Sequence, residues 1–174
     1  MLRALSVGIV IGALLLNGCA SSPMPPKLGT IYSKIASYRD PYRNPIIVIP
    51  GFLGSKLVES NSGITVWGAF GLSAADPATP AGAQLIALPM EQGKELSELR
   101  DGVVPIGALD RVVVNFLGFP VQLNSYYNIL AALGVGGYKD EELGRSGAID
   151  YGDDHFTCFQ FPYDWRRDII ETAR

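Results

Sequence analysis

The run Pro45-Ile46-Ile47-Val48-Ile49-Pro50, followed at once by Gly51-Phe52-Leu53-Gly54-Ser55, constrains this chain more than any other feature. Its β-branched residues are continuous rather than alternating with polar ones. That is the pattern of a strand covered on both faces inside a parallel sheet. Pro45 to Pro50 is therefore expected to be a fully buried strand that ends in a tight glycine turn. A second buried strand is expected over Phe156 to Phe161, followed by Pro162-Tyr163-Asp164-Trp165-Arg166.

Between the strands, Ser125 is expected to cap a helix over Tyr126 to Leu133 that Gly134 ends. Asp164 is expected to cap a further helix starting at Trp165, with Asp168 in its first turn. Strand, helix, strand, helix is the order of a βαβ unit. Residues of about 56 to 124 interrupt it with short apolar pieces (Ile64 to Trp67, Leu85 to Met90, Arg111 to Leu117) broken by Gly, Pro and Asp. This stretch exceeds a normal connection and reads as a lid or substrate subdomain grafted onto a parallel sheet. The 174 residues, 48% hydrophobic and 18% charged, suit one domain with a packed core. A net charge of -3 without a basic run argues against a nucleic-acid partner.

The N-terminus reads as a targeting segment. Arg3 supplies positive charge, Val7 to Leu16 are apolar, and Leu16-Asn17-Gly18-Cys19 follows. The apolar run is of signal-peptide length, too short to span a bilayer comfortably. Leu-Asn-Gly-Cys looks like a bacterial lipobox, in which Cys19 is lipidated and becomes the new N-terminus. Residues 1–18 are then the signal peptide, 19–40 a tether, and 41–174 the folded domain. Several acyl chains on one residue anchor firmly to a membrane. Ala20 fits outer-membrane sorting.

The turn after Pro50 lies where open α/β sheets bind ligands, at the C-terminal end of a parallel strand. Its glycines let main-chain N–H groups approach a ligand, and hydrolases of this fold draw one oxyanion donor from the loop after their third strand. A plain strand-ending turn is the alternative. Cys158, in Phe156-Thr157-Cys158-Phe159, reads as a buried inert thiol. His155 is three positions away and faces the other side of an extended strand. Asp150, Asp153 and Asp154 around Gly152 read as a solvated loop rather than a calcium site. Nothing resembles a phosphate loop or zinc site, and no cofactor is expected.

The segment Pro45 to Trp67, with Pro-Gly-x-Leu-Gly-Ser after a strand and a Trp a dozen residues on, resembles the lecithin–cholesterol acyltransferase and lysosomal phospholipase A2 family. Tyr163-Asp164-Trp165-Arg166 matches that family's Tyr-Asp-Trp-Arg after the next strand, and Gly137-Tyr138 fits the Gly-Tyr after its first crossover helix. The resemblance covers most of 45–174, strongly at both ends and weakly from about 70 to 120. It implies the N-terminal part of an α/β-hydrolase fold with a lid-like insertion. It implies an enzyme acting on a lipid or acyl-ester substrate as lipase, phospholipase or O-acyltransferase. It makes the backbone N–H of Phe52 an oxyanion donor and gives Gly51 the loop geometry. Trp67 falls in the lid region, against an acyl chain, with a core or surface-turn tryptophan as the alternative. Tyr163, Asp164, Trp165 and Arg166 become structural support under the site.

Departures from the family qualify this. No Gly-x-Ser-x-Gly is present, and Gly144-Arg145-Ser146-Gly147-Ala148 has its glycine misplaced and no strand before it. His155, the only histidine, precedes the place of the serine, whereas the fold's order is Ser, acid, His. The nucleophile, acid and base are therefore expected beyond Arg174, and residues 1–174 alone are expected to be inactive. The lid carries no cysteine, so it is expected either to be held by something other than the disulfide of animal members or to be more mobile. A non-catalytic lipid-binding lipoprotein that kept the fold's front half is the competing function.

Overall fold

The computed structural model describes residues 24–30, 34–35, 38–40, 42–70, 74–116 and 119–173. The expected signal peptide and Cys19 lie outside them. Strand β1, Ile46–Val48, pairs in parallel with β8, Cys158–Gln160, in the register Ile46 to Cys158 and Val48 to Gln160. The two expected strands thus meet, each shorter than its apolar run. Helices α2, Tyr127–Val135, and α3, Glu141–Arg145, lie between them in sequence. One core cluster joins these elements: Leu130, Leu143, Ile149, Tyr151 and Cys158 are buried, with Ile46, Val48 and Tyr126 packed against them.

β1 is not buried on both faces as the apolar run suggested. Successive strand side chains point to opposite faces. Ile46 and Val48 pack inward, while Ile47 and Ile49 are 62% and 65% exposed. Among the described residues nothing covers the second face.

Residues 55–124 form their own β structure. Strands β2 (Ser55–Glu59), β3 (Thr65–Trp67) and β5 (Val103–Ala108) make an antiparallel sheet in the order β3-β2-β5. Strands β4 (Ala69–Phe70), β6 (Arg111–Phe116) and β7 (Phe119–Asn124) make a mixed sheet, with β4 parallel and β7 antiparallel to β6. Helix α1, Pro80–Ile86, follows a Thr79 cap whose hydroxyl accepts the Gly82 N–H. A second core forms here from Leu57, Val66 and Val103, with Trp67, Leu85, Ile86 and Trp165 against it.

Helix boundaries depart from the sequence reading for identifiable reasons. Ser125 does not cap α2 with its side chain. Its N–H, like that of Tyr127, donates to the Asp110 carbonyl, and Tyr126 occupies the cap position. Gly134 lies inside α2, not after it, and is a packing glycine: a Cβ there would sit 2.8 Å from both Leu28 Cδ1 and Tyr151 Cε1. The stop is Gly137, at φ 85, where Tyr138 N–H donates to the Leu133 carbonyl and Gly137 N–H to that of Gly134. This pair of bonds is a Schellman closure. Asp164 caps a turn rather than a helix, accepting Arg166 N–H at 3.1 Å. The last helix, α4 (Ile169–Thr172), begins only after Asp168, whose carboxylate accepts Ile170 N–H.

Part of the tether expected over 19–40 is docked. Gly29 N–H donates to the Asp150 carbonyl and Asp150 N–H to that of Pro26, while Leu28 joins the first core. The close approach needs glycine, since a Cβ at Gly29 would meet the Gly152 backbone at 2.6 Å.

Candidate active-site loop

Strand β1 delivers the chain into the turn Gly51 to Gly54, closed by Gly54 N–H donating to the Gly51 carbonyl at 2.8 Å. Leu53 is the only described non-glycine residue with positive φ, at 62°. Positive φ at the third position alone is the type II pattern, which normally calls for glycine there. A leucine in this region costs on the order of 1 kcal/mol, and such strain persists only where surroundings enforce it.

The enforcing contacts come from four directions. Gly51 N–H donates to the Tyr126 hydroxyl at 2.8 Å. The Leu53 carbonyl accepts the Trp67 indole N–H at 2.9 Å. The Gly54 carbonyl accepts Leu109 N–H at 2.6 Å. Buried Ser55 takes Tyr163 N–H on its hydroxyl at 3.1 Å, and its carbonyl takes the Trp165 indole N–H at 3.3 Å. Among the described residues, the N–H groups of Phe52 and Leu53 have no acceptor.

The glycine that the turn cannot lose is Gly54, not Gly51. A Cβ on Gly54 would meet the Gly51 carbonyl at 2.7 Å and the Tyr126 hydroxyl at 2.9 Å. A Cβ on Gly51 would meet only that hydroxyl, at 3.6 Å, and the residue lacks positive φ.

Trp165 stacks edge-on with Phe52 at 5.6 Å between ring centroids and with Trp67 at 5.2 Å. Phe52 itself is 75% exposed. Trp67, expected near an acyl chain, in the core or on a surface turn, packs against the second core and braces the loop through its bond to the Leu53 carbonyl. The expected residues Gly51, Phe52, Trp67, Tyr163 and Trp165 thus form one connected unit, while Cys19 lies outside the described residues.

Asp164 and Arg166 form the ion pair that fastens this unit. The Arg166 side chain is 2% exposed, and its Nη2 lies 2.7 Å from Asp164 and 2.8 Å from Asp101. Burial alone would lower its pKa, but the hydrogen bond and charge of Asp164, then those of Asp101, raise it. Its Nη1 donates to the Leu85, Ile86 and Ala87 carbonyls at the end of α1. Arg167 does the same for the carbonyls of Leu96 and Leu99. These two guanidinium groups hold the 85–99 stretch of the cysteine-free insertion against the turn after β8.

Other polar groups have structural duties. Asp153 is engaged by Lys139 and Arg39. Burial would raise its pKa, but the Lys139 hydrogen bond and charge help bring it down to about 2. Among the described residues no cluster of three or more His, Cys, Asp or Glu could hold a metal. His155 is exposed, its N–H bound to Asp153. Cys158 is fully buried, and burial, then the charge of Asp140, pushes its thiol up to about 12. That is an inert thiol, because the thiolate is the reactive form. The Gly144-to-Ala148 stretch ends α3 and its following turn.

Sequence reasoning missed Ser55, Tyr126, Asp101 and Arg167. Ser55 was visible as the residue ending the glycine turn. Asp101 had no signal, because it lies in the insertion where no period could be read. No family model matches this chain, nor does any curated protein or solved structure.

Proposed function

We propose that this chain is the front part of a serine-type enzyme that cleaves or transfers an acyl ester of a lipid. The loop Pro50 to Ser55 supplies main-chain donors to the tetrahedral oxyanion, and the nucleophile, acid and base come from chain following Arg174. The observation that carries the reading is the strained turn at the C-terminal end of parallel strand β1, with the Phe52 N–H left without an acceptor among the described residues. Strain at such a place is where function concentrates. An oxyanion hole needs donors fixed before charge develops, in a site that does not reorganise. Four separate bonds to Gly51, Leu53, Gly54 and Ser55 meet that need. The parallel pair β1–β8 supports an α/β-hydrolase fold, and the β structure of 55–124 supports a grafted lid. The resemblance of both motifs to the lecithin–cholesterol acyltransferase and phospholipase family points to lipid esters. Water and a lipid alcohol differ only as acceptors of the acyl-enzyme, so hydrolase and acyltransferase share this half.

The test is to translate the whole reading frame and treat the product with a fluorophosphonate probe. The reading predicts labelling of a serine in a Gly-x-Ser-x-Gly after residue 174, and none within 1–174. A stop codon at 175, or a folded product that resists the probe, favours the non-catalytic lipid binder instead. Membrane anchoring is read separately: labelled palmitate should enter the wild type in a bacterium, and equal labelling of Cys19→Ala would refute a lipidated Cys19.

A further inference from the structure

Tyr126 stands out because its hydroxyl reaches 75 residues back along the sequence to the strained turn. Its ring is held by the first core cluster, and it occupies the cap position of α2, where its carbonyl accepts Leu130 N–H. Its N–H donates to the Leu109 carbonyl at 3.2 Å. The hydroxyl oxygen accepts Gly51 N–H at 2.8 Å and lies where a Gly54 Cβ would come to 2.9 Å. The tyrosine hydroxyl therefore fills the space that the missing side chain of Gly54 leaves free.

A tyrosine hydroxyl is both donor and acceptor. Here the oxygen is engaged by Gly51, and among the described residues its hydrogen has no acceptor. A hydroxyl that accepts from an amide is polarised into a better donor. The bond fixes the Pro50–Gly51 peptide that enters the turn, next to the peptide carrying the Phe52 N–H, which is itself held by the Gly51 carbonyl accepting Gly54 N–H. Without it, the Gly51 N–H has no acceptor among the described residues, and the entry to the turn is held less firmly.

We propose that Tyr126 is the positioning residue of the oxyanion loop, acting through Gly51, and that its hydroxyl hydrogen is a further donor at that site. This rests on the oxyanion reading of the loop, so the experiment has one arm that depends on that reading and one that does not. In the 174-residue chain, Tyr126→Phe should speed Gly51 amide hydrogen exchange about 3- to 10-fold, the loss of one modest hydrogen bond. The control Tyr127→Phe should leave it unchanged. In the full reading-frame product, Tyr126→Phe should lower kcat on a soluble short-chain ester about 10- to 100-fold, with KM and thermal midpoint near wild type. Unchanged Gly51 exchange would overturn the positioning role even if the enzyme reading stands. Faster exchange with unchanged kcat in an active enzyme would overturn the catalytic part. A wild-type product without ester hydrolysis would defeat the oxyanion reading and the donor role with it, leaving Gly51 exchange to decide the structural hold.

Discussion

Replacing Arg166 with methionine isolates what the turn after β8 contributes. The methionine retains the apolar stem and deletes the guanidinium. Among the described residues, Asp164 and Asp101 then keep only Arg167, at 3.6 and 3.7 Å, as an ion-pair partner. Their side chains are 9% and 16% exposed, so neither charge is well served by water. Three carbonyls at the end of α1 also lose their donor. Removing one partner of a buried ion pair costs about 3–5 kcal/mol, because a charge is left uncompensated. For a chain of this size that is a fall of about 6–20 °C in thermal midpoint. Arg166→Lys should lose about 2 kcal/mol, since an ammonium group cannot serve two carboxylates and three carbonyls together. Urea unfolding followed by tryptophan fluorescence reads both variants, because Trp67 and Trp165 pack beside the pair. The 87–95 stretch should become the first site of limited proteolysis as the insertion detaches. Adding Asp101→Asn to Arg166→Met should cost less than the sum of the single changes, because the uncompensated charge goes with its partner. Strict additivity, or a loss below about 1 kcal/mol for Arg166→Met, would refute a buried fastening role.

Other perturbations separate the parts of the account. Gly54→Ala should destabilise the chain clearly and Gly51→Ala barely, because only the former meets backbone within 3.0 Å; equal thermal midpoints would contradict the turn geometry. In a Cys19→Ser chain, Cys158 should resist a thiol-directed disulfide reagent at about pH 8 until the chain is unfolded, and rapid native labelling would show the site open. Burial raises the Asp140 carboxyl above its ordinary 3.8, so the folded state holds that proton more tightly than the unfolded one. Its contribution is therefore present below about pH 4 and lost as pH rises through the raised value. The wild type should gain on Asp140→Asn in urea midpoint as pH falls from about 7 toward 4; a constant difference would exclude the shift. Asp153, lowered to about 2, runs the opposite way, contributing above its unfolded value and losing that contribution as pH falls toward 2.

Both apolar runs were legible as strands, the first from its continuous β-branched residues and the second from its aromatic-rich apolar pattern. Their pairing followed from the βαβ order. What was not legible was coverage: Ile47 and Ile49 look as buried as Ile46 and Val48 in sequence, and only the packing of α2 and α3 separates the faces. Helix ends failed where tertiary contact outweighed local signals. Gly134 reads as a terminator, yet it is a packing glycine under Leu28 and Tyr151. Asp164 reads as a helix cap, yet Arg166 holds its carboxylate and the helix waits for Asp168. The motif residues Phe52, Trp67 and Trp165 could be singled out, but not that they share one aromatic stack. Contacts over a hundred residues, such as Ser55 with Tyr163 and Trp165, leave no local trace.

The central claim is that the Phe52 N–H binds an oxyanion, and Phe52→Pro in the full reading-frame product tests it most directly. Phe52 occupies the second position of the type II turn, where proline fits. Its N–H makes no internal bond among the described residues, so proline deletes the donor without breaking the fold. Thermal stability should stay near that of Phe52→Leu, which loses the same ring contact with Trp165. Turnover of a soluble short-chain ester should fall about a hundred- to thousandfold, the loss of one oxyanion donor. A folded Phe52→Pro enzyme that turns over the ester as fast as Phe52→Leu would contradict the account and leave the loop as a turn alone.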